Sequence, residues 1–424
     1  LAHKKGNSSV INQFIYTRDN LGNRTSIISS RGTASYGYDD ESQLNSVSNS
    51  EITGDYATES FNYDDLGNRL NDRLGNYVYD NKSQRLTEDY KHFYLYDQNG
   101  NLTSIQERGM TGNFKNLTYS SENQLVKIQE YKNSLLTKET FYYYDALGRR
   151  MRKVVSDKEN SSDSFERGYV YDGQEILAEY DSNSVIGIYT HSTLRTDDVL
   201  AVDVKSSKLA SSTGSYFYLK DALGSVVDIV DGSGNLVQHY SYSSFGKILK
   251  IVDGSGNDIT NSSVVKTSYG FTNREHDVES GMMYYRARYM MPEIGRFIQE
   301  DPHPGIDEKP RTFTSKYIYA VNNPNSWVDP SGEFIFTAMA IGAVIGGAMA
   351  ASSGGNILEG ALIGAVAGAA GGYMGYYAGL AAGGGLAGIQ PGSQRRWRCH
   401  SGVQDHQRGR HHQPKRGQGG ARIG

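Results

Sequence analysis

Short runs of aromatic and apolar residues alternate with polar clusters through the first half of the chain, as in Phe141-Tyr142-Tyr143-Tyr144 and Tyr77-Val78-Tyr79. Such runs are β-formers, because aromatic side chains pack well on a pleated surface. The polar clusters repeat a pattern of Tyr, Asp, two or three residues, Gly, then Asn or Arg before the next apolar position. The clear copies are Tyr63-Asp64-Asp65-Leu66-Gly67-Asn68-Arg69-Leu70, Tyr96-Asp97-Gln98-Asn99-Gly100-Asn101-Leu102 and Tyr144-Asp145-Ala146-Leu147-Gly148-Arg149-Arg150-Met151. Weaker copies start at Tyr16, Tyr38, Tyr79, Tyr119 and Tyr171, with a variant at Leu219–Gly224; the spacing drifts between roughly 15 and 30 residues, too loose for a strict solenoid.

Each copy predicts a hairpin. Asp opening a turn accepts hydrogen bonds from the backbone two residues on, and Gly at the fourth position supplies the left-handed conformation that a following bulge needs. A row of hairpins makes a long antiparallel sheet, so the expected class is mainly β. Two Asp-Gly-Ser-Gly-Asn stretches, at 231–235 and 253–257, invite comparison with calcium loops but lack the ladder of alternating acids closed by a late Glu, and they read as turns. No cofactor or metal is expected. The tyrosines read as cross-strand packing pairs, with stacking on sugars as the alternative. The sequons at Asn7, Asn23, Asn101 and Asn116 mark at most surface turns.

Composition agrees with this class: the apolar fraction is a low 37%, while 32 Tyr and 49 Gly are both high for 424 residues. A single cysteine, Cys399, excludes an intramolecular disulfide framework and a multi-cysteine metal site. The chain starts Leu-Ala-His-Lys-Lys without an apolar leader and reads as the C-terminal piece of something longer. Charge is uneven. Residues 391–424 hold eight Lys and Arg against Asp405, a local +7 beside an overall −4, which leaves −11 on residues 1–390 and argues against nucleic acid as a partner of the body.

Between the repeats and the C-terminal region lies a stretch with motifs of its own. It reads Tyr-Gly-Phe-Thr-Asn-Arg-Glu at 269–275, Gly-Met-Met-Tyr-Tyr-Arg-Ala-Arg-Tyr at 281–289, Gly-Arg-Phe-Ile-Gln-Glu-Asp-Pro at 295–302, and Tyr-Ala-Val-Asn-Asn-Pro-Asn-Ser-Trp-Val-Asp-Pro-Ser-Gly at 319–332. Beyond it, Phe334–Ile389 has Glu359 as its one charged side chain. Gly360, Gly364, Gly368 and Gly372 would line one helix face, as in a glycine zipper, and the segment is long enough for two membrane-crossing helices; an apolar filler is the other reading. The tail from Pro391 holds His400, His406, His411 and His412 without a strand or helix pattern to organise them, and reads as disordered or as a truncated or frame-altered end.

The Tyr-Asp turns resemble the YD repeats of RHS proteins, and 269–332 resembles the RHS repeat-associated core domain, because its blocks occur in the family's order. The resemblance implies that the hairpins curl into a hollow, here partial, shell, that the core plugs one end, and that an α-helical or disordered Gly-rich C-terminus follows. It divides the chain into a YD-repeat segment 1–265, a core plug 266–333, an apolar segment 334–390 and a basic tail 391–424. It further implies a secreted or surface bacterial toxin that frees its C-terminal region by aspartyl autoproteolysis. By motif position, Asp301 and Asp329 are the carboxylates, Arg288 is the supporting basic residue, and the cut falls at Glu333–Phe334. Implied partners are the rest of a longer chain or a companion shell protein, a target membrane through 334–389, and an immunity protein. The chain departs from the family pattern at Met290-Met291-Pro292, in the extra residues Gly305–Pro310 between the two Asp-Pro blocks, and at Glu333, where an apolar residue is usual. The alternative is a cell-surface protein whose tyrosine-rich repeats bind carbohydrate without proteolysis.

Overall fold

The computed structural model describes residues 1–5, 9–192, 198–302 and 316–333. The expected glycine zipper, the tail histidines, Cys399, Phe334, Asn7 and the insertion Gly305–Pro310 all lie outside the described residues. No helix among the described residues is long and apolar enough to cross a membrane.

The fold is mainly β, as the repeats predict. Eight strands from Ala2 to Asn76 form one antiparallel sheet in chain order, and sixteen from Val78 to Val252 form a second, also in chain order. Chain-order pairing is the signature of successive hairpins, with no crossover. At the Tyr-Asp repeats the hairpins are closed by the predicted turn: Asp64 Oδ1 accepts from the amides of Leu66 and Asn68 at 2.9 and 2.8 Å, and Gly67 sits at φ +80°. Register slips at the Tyr beside each turn, between Asn62 and Tyr63 and again between Tyr143 and Tyr144, which is the expected bulge. The carboxylates of Asp231 and Asp253 are engaged in the same way, each Oδ1 accepting from two backbone amides at 2.8 and 2.9 Å, so both behave as turns.

The tyrosine of the repeat ties one hairpin to the one before it. Tyr63 donates its hydroxyl hydrogen to the Leu44 carbonyl, Tyr119 to Leu102, Tyr144 to Leu125 and Tyr171 to Arg150, all at 2.7–2.9 Å. The turn asparagines are similarly committed. Asn23 and Asn101 donate to the carboxylates of Asp19 and Asp97, both at 2.9 Å, and both are buried. That corrects the surface-turn reading of these two sequons.

Alternation along the strands turns one face inward. Tyr94 and Tyr142 are 2% exposed, whereas their neighbours Leu95 and Tyr143 are 62% and 47% exposed. The inward face meets 269–302 and 316–333, of which the first carries a four-stranded antiparallel sheet from Glu275 to Phe297. Tyr284, Tyr289 and Ile298 pack with Tyr94, Leu117, Ile128 and Tyr142, and Met283, Tyr285, Phe297 and Tyr319 pack with Leu44, Phe61 and Phe245. Early and late strands also touch each other through side chains. Asn12 donates to Asp228 at 2.7 Å, and His239 bridges Asp228 and Glu51 at 2.7 Å on each side.

One buried charge cluster joins sheet to core. Arg150, with no exposure, pairs with Asp277 at 2.5 Å and with Glu275, while Lys153 pairs with Asp277 and Glu279 at 2.8 Å each. Burial, the largest influence on the Asp277 carboxyl, acts to raise it, but Arg150 and Lys153 outweigh burial and hold it low. Removing one partner of such a cluster strands the others in the interior. Arg150→Met is therefore expected to cost about 3–5 kcal/mol, against about 1 kcal/mol for Tyr63→Phe, which loses one hydroxyl latch. Denaturant midpoints of the full chain check both.

Candidate active site

The residues singled out near the end of the core stretch come together on a hairpin. Met282–Tyr285 pairs with Arg288–Met291, and the tight turn between them carries Arg286 at φ +62°. The Asp329–Gly332 segment is threaded against this turn: Ala287 donates its amide to the Ser331 carbonyl and Arg286 its guanidinium to the Pro330 carbonyl, both at 3.2 Å. Gly332 makes the approach feasible. It lies at φ +71°, and a Cβ there would stand 2.3 Å from the Tyr285 carbonyl oxygen.

Arg288 is the hub. Its guanidinium lies 3.6 Å from the Phe297 ring centroid, and its Nη2 reaches Asp301 at 2.9 Å and Asp329 at 3.3 Å. Nη1 donates to the Lys316 carbonyl at 3.0 Å, and Nε donates to the Gly332 carbonyl. One buried cation thus holds both predicted carboxylates and the backbone just before the expected cut. The long interval between the Asp-Pro blocks leaves and returns at neighbouring points, since the Asp301 amide donates to the Lys316 carbonyl at 3.0 Å. Its length therefore does not separate the two acids.

The acids differ in surroundings. Asp329 is 4% exposed at the side chain and Asp301 10%. Burial pushes the Asp329 carboxyl up to about 7, with Asp301 adding repulsion, against the opposing pull of Arg288 and of the Gly332 and Ser331 amides on its Oδ1. Glu333 is also raised, by burial first and then by Asp301. Lys316 is lowered, chiefly by burial. Such a set can keep a proton on one carboxyl near neutrality while a second stays paired with a guanidinium, the arrangement that acid–base hydrolysis requires.

Sequence reasoning missed the charges that seat this site. Arg24, Arg69 and Arg150 all follow the turn Asn or Arg, at the position where Leu44, Leu102 and Leu125 are apolar, and all six are buried. An arginine recurring at a core position was the available signal. Arg69 lies 4.5 Å from both Phe61 and Phe245, and Arg150 lies 4.4 Å from Tyr284. The core's own polar residues reach back to the turns. Asn322 donates to Gln43 and the Gly67 carbonyl at 2.9 and 2.7 Å, Asn323 to Asn23 at 2.8 Å, and Arg296 to Asn68 at 3.3 Å.

A ribbon of Tyr-Asp hairpins packed on a core segment defines a YD-repeat shell protein. The chain belongs to the teneurin YD-shell family, whose model matches residues 11–324. It is 26% identical over 334 residues to the tRNA nuclease WapA of Bacillus subtilis (strain 168), covering 77% of this chain and 11% of that protein. It is also 26% identical over 324 residues to the double-stranded DNA deaminase toxin A of Burkholderia cenocepacia (strain H111), covering 71% of this chain and 21% of the toxin. The chain thus spans a small fraction of these relatives. Among solved structures, the TcdB2-TccC3 crystal structure matches with 18% identity and a TM-score of 0.47, over 78% of this chain and 19% of that one.

The raised Asp329 carboxyl carries a sign that can be measured. Between about pH 4 and about pH 7 the native state holds a proton that the unfolded chain has released, so wild-type stability falls as pH rises through that window. Asp329→Asn should flatten this fall. Denaturant titrations at pH 4.5 and 7.5 compare the two.

Proposed function

We propose that the chain is the shell-and-plug part of a longer RHS-type polymorphic toxin. It would encapsulate a C-terminal effector region and release it by cutting its own backbone after Asp329-Pro330-Ser331-Gly332, at Glu333–Phe334. The observation that carries this reading is the shared guanidinium: Arg288 holds Asp301 and Asp329 beside the backbone segment that is to be cut. In this reading Asp301 activates water, and Asp329, protonated up to about 7, supplies the proton for the leaving amine. Arg288 keeps the acids and the Gly332 carbonyl in register.

The inward-facing tyrosines and the contacts between early and late strands support a curled, partly hollow shell. Relatives named as a nuclease and a deaminase toxin support a toxin, without identifying the effector of this chain. Secretion or surface display by a bacterium, a companion shell protein, an immunity protein and a target membrane engaged by 334–389 belong to the same proposal. Carbohydrate binding by the tyrosines is less well supported, because the repeat tyrosines are turned inward and their hydroxyls are spent on backbone carbonyls.

Purified full chain should accumulate a fragment of about ninety residues starting at Phe334. Asp301→Asn and Asp329→Asn should each slow its appearance at least about 100-fold. The wild-type rate should drop as pH rises through about 7, where Asp329 loses its proton. Time courses on gels with fragment sequencing decide the matter; persistently intact wild-type protein at every pH refutes the proposal.

A further inference from the structure

Two consecutive carbonyls at the end of the plug each have a donor of their own. The Gly332 oxygen is held by Arg288 Nε, and the Glu333 oxygen lies 3.0 Å from the Ser331 hydroxyl, which donates to it. The same hydroxyl oxygen accepts from the Glu333 amide at 3.1 Å. Ser331 therefore grips both backbone polar atoms of Glu333. It is itself 5% exposed, and its position is set from three sides: Asp329 Oδ1 accepts its amide at 3.3 Å, Ala287 donates to its carbonyl at 3.2 Å, and Gly332 beside it is wedged against Tyr285.

We propose that Ser331 is a catalytic residue of the self-cleavage, the donor that stabilises the negative charge developing on the Glu333 carbonyl oxygen. The proposal rests on the autoproteolytic reading and adds to it the residue that selects the bond. In the step, the oxygen of water bonds to the Glu333 carbonyl carbon while one water proton passes to the carboxylate base. The carbonyl oxygen becomes an oxyanion that accepts the Ser331 hydrogen bond. The C–N bond to Phe334 then breaks, the leaving nitrogen takes a proton from the protonated carboxyl, and the products are a Glu333 carboxyl and a Phe334 amine. Water is the one reactant consumed. A donor already aimed at that oxygen costs no reorganisation as charge develops, which is why such donors matter more for the rate than for the ground state.

The choice of bond follows from the chemistry of the two donors. Arg288 is also committed to both acids, so its grip on Gly332 anchors the segment. Among the described residues, the hydroxyl of Ser331 donates to one carbonyl, that of Glu333.

Ser331→Thr and Ser331→Val in the full chain test this, because they are close in shape and differ in the hydroxyl. Cleavage rates are followed by intact mass, with thermal melts to verify folding, and Ser331→Ala repeats the hydroxyl deletion with a smaller side chain. Expected are a rate for Thr within about tenfold of wild type, and rates for Val and Ala about 100- to 1,000-fold lower, with every fragment starting at Phe334. Equal rates for Thr and Val while wild type cleaves overturn the role of Ser331 and leave autoproteolysis standing. Fragments starting at Glu333 do the same, since the carbonyl attacked is then the one Arg288 holds. Wild type that never cleaves, under conditions where its melt shows it folded, overturns both.

Discussion

A guanidinium with no access to water connects the repeat strands to the segment they surround. Arg150 leaves the inward face of one strand and meets Asp277 and Glu275 of the core, with Lys153 and Glu279 completing the set. Charges in such a place are tolerated only while each has its partner, and replacement by well-packed apolar residues could be as stable. What the cluster adds is register. A greasy tyrosine face accepts a core in several positions, whereas a fork of fixed geometry accepts its carboxylates in one.

The repeat itself is an economical device. Its Asp closes the turn, its Gly supplies the left-handed residue, and its Tyr reaches back to the preceding hairpin. The turn Asn, or Gln43 in its place, then has a side-chain amide oxygen to share, and Asn322, Asn323 and Arg296 of the core use that row as a docking seam. The seam and the apolar clusters together fix where the hairpin bearing Arg288 sits, and with it the pair of acids.

At the site, burial and pairing pull in opposite directions on neighbouring carboxyls. Asp329 is deep enough for desolvation to win over a guanidinium 3.3 Å away and two backbone amides. Glu333 adds a third carboxyl to the field, itself raised by burial and by Asp301. An acidic residue at this position makes the cluster more sensitive to pH than an apolar one would.

Local chemistry was legible in the sequence by itself. Asp64, Gly67 and Tyr63 dictate a turn, a bulge and a strand within a few residues of one another, so hairpins and a mainly β fold follow without knowledge of the rest of the chain. The resemblance of the core blocks to the RHS repeat-associated core singled out Arg288, Asp301 and Asp329. Their meeting at one nitrogen depended on two chain ends, Asp301 and Lys316, lying side by side, which an interval length cannot reveal. The burial of Arg24, Arg69 and Arg150 was likewise decided by tertiary structure. A charged residue in an alternating strand reads as solvent-facing until aromatic rings and carboxylates from more than a hundred residues away are brought over it. The donor on the Glu333 carbonyl also belongs to this second kind, because a serine in a turn becomes a directed hydroxyl only when Gly332 is pressed against Tyr285.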